Sequence, residues 1–134
     1  MNIQKIINIA RGIAIERFEL NDTTFNHVAI ITTNKSIISI GRNNFKMHPS
    51  VLKYDYRTGI HAEMDACLRV DRSIIYNNNK LFLYSLRFIK TNYQLAMAKP
   101  CITCQQYLKD LINASWNMNI YYSTNTQKIV KLDI

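Results

Sequence analysis

His61-Ala62-Glu63 and, much later, Pro100-Cys101-Ile102-Thr103-Cys104 supply a histidine, two cysteines and a carboxylate. Imidazole nitrogen and thiolate sulfur are donors that zinc takes in tetrahedral sites, and a catalytic zinc keeps three protein ligands and leaves the fourth position to water. His61, Cys101 and Cys104 would fill three positions. Water on such a zinc ionises with a pKa of about 7, which gives hydroxide at neutral pH to attack an aromatic amidine carbon. Glu63 stays free of the metal. It would take a proton from the water, pass it to a ring nitrogen and then protonate the departing amine, which leaves as ammonia.

The spacing says where these residues sit on the backbone. Cys101 and Cys104 are three apart and share one face of a helix, and Pro100 suits the position at or just before a helix start. A helix N-terminus also favours thiolate over thiol. His61 and Glu63 are two apart and would point to different sides in mid-helix, which predicts a first turn after the flexible Thr58-Gly59. Two helix N-termini then converge on one metal. Each piece alone has a plainer reading: a Cys-x-x-Cys pair as half a structural zinc site or a redox pair, His61 as an ordinary surface or core histidine. The chain has only three cysteines and no complete four-ligand set, and Cys67 falls on an apolar helix stripe, where a buried inert thiol is expected. The order and combination of the two motifs favour catalysis.

The elements that must position these groups alternate between helix and strand. Ile3, Ile6, Ile7, Ala10 and Ala14 predict an amphipathic helix through about Arg17, ended by Asn21-Asp22. His27 to Thr33 and Ser36 to Ile40 read as a hairpin around Asn34-Lys35. After a polar stretch from Gly41 to Gly59, a helix runs from His61 with Ala62, Ala66, Val70 and Ile74 at steps of four, stopped by Asn77-Asn78-Asn79. Leu81 to Phe88 is a central strand and Cys101 to about Ala114 the next helix. Ile120 to Ser123 and Lys128 to Asp133 are strands joined by a turn, Thr124 to Gln127, too short for a crossover helix. The 134 residues, 48% of them hydrophobic, suit one domain, 1–134, with a single core. No signal peptide or membrane span is expected, and free cysteines fit a reducing, intracellular or cytoplasmic compartment.

With these residues and this element order, the chain resembles the zinc-dependent cytidine and deoxycytidylate deaminase superfamily over nearly its whole length. The resemblance implies a three-layer α/β fold, a mixed sheet packed against helices, in which the two motif helices hold zinc beneath the substrate base. It implies that His61, Cys101 and Cys104 ligate Zn2+, that Glu63 is the proton shuttle and that the Ala62 backbone helps to hold the base. Gly41-Arg42-Asn43 is similar to a strand-end Gly-x-Asn segment whose asparagine contacts the sugar, although Asn43 also reads as a turn residue. Homo-oligomerisation is a further implication. Two features depart from the common pattern. The missing crossover argues for an antiparallel C-terminal hairpin, as in free-nucleoside cytidine deaminases, although fold branch and substrate need not coincide. Ile89 to Lys99 is longer than the usual link and would line the pocket, add a strand pairing or serve an oligomer contact.

A net charge of +8 favours anionic partners without separating a mononucleotide from a nucleic acid. Arg42, Lys46, His48, Lys53 and Arg57 cluster before the zinc helix, where they read either as a phosphate-binding loop or as solvated charges. The leading expectation is hydrolytic deamination of a cytosine base to uracil in a free nucleoside or nucleotide, with deoxycytidine monophosphate favoured. Alternatives are a cytosine deaminase of single-stranded DNA or RNA, with Tyr54, Tyr56 and Tyr93 as stacking platforms or as core packing, and a non-catalytic zinc protein that binds nucleotides.

Overall fold

A computed structural model of the chain describes residues 2–21, 25–44, 54 and 60–134. Helix α1, Ile3–Asn21, buries Ile6, Ile7, Ala10, Ala14 and Phe18 along one stripe and runs past Arg17 to Asn21. Its start is fixed by Asn2, whose Oδ1 accepts from the backbone N–H of Gln4 at 2.8 Å and of Lys5 at 3.4 Å.

Strands β1 (Phe25–Thr32) and β2 (Ile37–Arg42) form the predicted antiparallel hairpin, closed where Thr33 N donates to Ser36 O at 2.9 Å. β3 (Leu81–Ile89) lies antiparallel on the other side of β1 and parallel to β5 (Met118–Ser123). β6 (Ile129–Lys131) pairs antiparallel with β5, so the chain ends in the expected hairpin. The sheet is mixed, in the order β2-β1-β3-β5-β6, and a short β4 (Leu95–Ala96) makes its sixth strand by pairing with β3. Of the readings open for Ile89 to Lys99, the extra strand pairing is realised.

Period-two alternation splits β1 and β3 between two cores. Val28, Ile30, Leu86 and Phe88 pack with the α1 stripe. Ala29, Ile31, Leu81 and Leu83 face the opposite way, onto Ala62, Met64 and Ala66 of α2 (Ala62–Leu68) and Cys104, Tyr107 and Leu108 of α4 (Ile102–Asn113). The result is three layers. The single helix predicted from His61 to the asparagine run at 77–79 is two: α2 ends at Leu68, and Asp71 takes an extended backbone and caps α3 (Arg72–Tyr76) by accepting from Ser73 N. Steps of four hide such a break, because Val70 and Ile74 stay on the inner side of either arrangement. Asn77 is the C-cap of α3, as the asparagine run predicts.

Two polar contacts and one glycine fix α2 against β2. Ser39 Oγ donates to Ala66 O at 2.6 Å, and Arg42 N donates to Asp65 Oδ2 at 3.0 Å. At Gly41 an added Cβ would lie 2.2 Å from Ala66 N and 2.3 Å from Ala62 O, so only glycine lets the strand approach this closely. Among the described residues no helix is long and apolar enough to cross a membrane.

Candidate metal centre

Both motifs sit at helix starts. His61 is the N-cap of α2 and Cys101 the N-cap of α4, each with extended backbone angles, and Glu63 lies in the first turn of α2. The Cys101 sulfur accepts from Cys104 N at 3.4 Å, which satisfies one of the amides a helix start leaves free. His61 Nδ1 is 3.2 Å from Cys104 Sγ and 3.7 Å from Cys101 Sγ, and the three donor atoms lie within 4.8 Å of one another. A tetrahedral zinc with ordinary bond lengths separates its nitrogen and sulfur ligands by about 3.6 Å. The donor set and its spacing therefore fit a metal ion such as zinc. Cys104 is buried and Cys101 exposed, so the group lies at the edge of the core, open on one side.

Glu63 is 1% exposed and belongs to no part of this triad. Its Oε1 lies 3.3 Å from His27 Nε2, but that nitrogen is engaged by Ser85 Oγ at 2.6 Å, and Oε1 is left without a hydrogen bond of good geometry. Burial pushes the Glu63 carboxyl up to about 7, opposed by its own backbone N–H and by the Arg87 charge. Burial also pushes the His27 imidazole down to about 3, with the Arg87 and His61 charges acting in the same direction.

His27 and Arg87 were not signalled as site residues by the sequence. They are directly opposed across β1 and β3, with Arg87 Nη2 3.4 Å from His27 Nδ1. Together with Asn43 and His61 they line a cavity of about 190 Å³. The only sequence signal available was a histidine and an arginine in largely apolar strands, and it gains meaning once the register is known.

The expected substrate-contacting residues divide. Asn43 is exposed and lines the cavity beside His61, while Ala62 is fully buried next to it in the chain. Arg42 is exposed and lines a different groove, about 520 Å³, with Arg17, Asp65 and Arg69 among its neighbours. Lys46, His48, Lys53 and Arg57 lie outside the described residues, as do Tyr56 and Thr58-Gly59. Tyr54 packs edge-on against Tyr107 and donates to Asp110, and Tyr93 stacks on Phe18 beside α1, so both take part in packing. Cys67 is buried, and desolvation raises its thiol well above the ordinary value, in keeping with an inert core cysteine. No protein-family model matches the chain, and no curated protein matches it in sequence.

Proposed function

We propose that the protein is a zinc-dependent hydrolase that converts a cytosine base to uracil and ammonia in a free nucleoside or nucleotide. The observation that carries this reading is the buried Glu63 carboxyl beside, but not within, the His61, Cys101 and Cys104 group. A purely structural metal site has no use for it. Zinc held by the three residues would supply a nucleophile from water at neutral pH. Glu63 would accept the first proton of the water and hand it to N3 of the ring, then carry the second, from the hydroxyl newly bonded to C4, to the exocyclic amine, which departs as ammonia as the C4 carbonyl forms. A carboxyl with a pKa near the working pH both takes up and releases protons readily, and burial tunes Glu63 in that direction. The cavity formed by Asn43, His27, His61 and Arg87 is smaller than the 300 Å³ or so at which drug-sized pockets begin, and so admits only part of a nucleoside or nucleotide.

The test is ammonia release and product mass with zinc-loaded protein on cytidine, deoxycytidine, their monophosphates and a cytosine-containing single-stranded oligonucleotide. Turnover of a free cytosine compound is expected. Glu63→Gln should retain zinc and lose about 10²- to 10⁴-fold in rate, the range for removing a general acid-base group. Cys101→Ser should lose zinc. Full activity in Glu63→Gln would refute the proton shuttle, and undiminished zinc content in Cys101→Ser would refute the ligand set.

A further inference from the structure

We propose that Arg87 is the phosphate-recognising residue of this site, holding a phosphate attached to the substrate nucleoside; the inference rests on the deaminase reading above. Hydrogen-bond bookkeeping gives the starting point. Ser85 Oγ donates its one proton to Ala98 O at 2.9 Å and must accept from His27 Nε2 at 2.6 Å. His27 therefore carries its proton on Nε2, and Nδ1 is a bare acceptor for Arg87 Nη2 at 3.4 Å. His27 is neutral, and it tethers the guanidinium by one of its five N–H donors.

The rest of the fork has no hydrogen-bond partner among the described residues. Among the described residues no carboxylate lies within ion-pair distance of Arg87; the Glu63 carboxyl is near enough to feel its charge, but its Oε1 sits 3.3 Å from the neutral His27. A half-buried guanidinium that has given up part of its hydration without a directly bonded counter-charge is costly unless an anion arrives. The planar fork matches phosphate in a bidentate manner, and Arg87 opens onto the same cavity as His61 and Asn43. The groove lined by Arg17, Arg42 and Arg69 is better compensated: two carboxylates, Glu16 and Asp65, line it too, and Arg69 Nε is bonded to Asp65 Oδ2 at 3.1 Å.

A phosphate beside the base comes either from a mononucleotide or from a polynucleotide backbone, and three substrates separate the sources. Zinc-loaded wild type and Arg87→Gln are compared on deoxycytidine, deoxycytidine monophosphate and a short single-stranded oligonucleotide. The expected result is that the wild-type preference in kcat/KM for a phosphorylated substrate over deoxycytidine falls about 10- to 100-fold in Arg87→Gln, the worth of a charge-assisted hydrogen bond or two. Which phosphorylated substrate shows the change identifies the source. An unchanged ratio, with all substrates falling together, overturns the inference while leaving deamination intact. Arg87→Lys, which keeps the charge but not the fork, should recover part of the preference and guards against a folding defect in the glutamine variant. If the wild type deaminates none of the three, the deaminase reading falls, and calorimetric titration with inorganic phosphate still decides for Arg87: weaker binding in Arg87→Gln supports its role, equal binding overturns it.

Discussion

The two faces of the central sheet use the same strands for opposite ends. On the α1 side, Val28, Ile30, Leu86 and Phe88 meet an unbroken stripe of Ile6, Ile7, Ala10, Ala14 and Phe18. On the α2 and α4 side the strands begin just as apolar, with Ala29, Ile31, Leu81 and Leu83, and then turn polar at one end, where His27, Ser85 and Arg87 meet Glu63. Neighbouring residues of β1 and β3 therefore serve a core on one side and a polar cluster on the other. A polar group in the core costs stability unless it is bonded, and Glu63 Oε1 is not. The α1 face carries one such group as well, Asn26, whose Nδ2 donates to Ala14 O at 3.4 Å while its Oδ1 is left unbonded, so what sets the α2 side apart is that its polar groups, His27, Arg87 and Glu63, can carry charge.

The division can be broken most severely from the α1 side. Ile6→Ala, at a fully buried position, should cost about 2–5 kcal/mol of unfolding free energy, read from urea denaturation, while zinc content per folded molecule stays at the parent level. Zinc loss in step with stability would show the two faces to be one unit. Gly41→Ala attacks the other side, because its Cβ must push α2 away through backbone atoms of Ala62 and Ala66. Overpacking of this kind costs about 1–3 kcal/mol, and here weaker zinc binding should accompany it, since the shifted helix carries His61. Parent-like zinc affinity would mean that α2 gives way without disturbing its first turn.

Per unit of the variable changed, the smallest effect is in pH. The folded state refuses a proton at His27 between about 3 and 6.5, so this group lowers stability as pH falls through that range. Glu63 acts with the opposite sign: folded, it binds a proton up to about 7 that the unfolded chain releases above 4.5, so it adds stability as pH falls. In metal-free protein the two should largely cancel between pH 4.5 and 6.5. Glu63→Gln should uncover His27, with stability dropping by up to about 1.4 kcal/mol per pH unit as the pH is lowered from 6.5. A wild type with the same slope as the variant would show that the two groups do not compensate.

The sequence announces the triad and Glu63 because local rules suffice for them: Pro100 and the i, i+3 spacing of Cys101 and Cys104 suit a helix start, and His61 and Glu63, which would diverge in mid-helix, suit a first turn after Thr58-Gly59. The hairpin at Asn34-Lys35 and the final hairpin are legible for the same reason. What escapes is set by tertiary register. His27 and Arg87 are 60 residues apart, and only the pairing of β1 with β3 makes them neighbours. The break between α2 and α3 escapes because Asp71 prefers to cap a new helix through Ser73 N, a local competition that apolar spacing does not report.

The segment before Cys101 has one more consequence. Ala98 N donates to Ser123 O at 2.9 Å, Ser85 Oγ donates to Ala98 O at 2.9 Å, and Ser123 Oγ donates to Ala96 O at 2.7 Å. This link is thus fastened to both central strands a few residues before the first sulfur donor. Its ordering entropy is spent when the chain folds, so an arriving ion meets donors already in place. Metal capture should then bury little apolar surface, and its enthalpy should hardly vary with temperature.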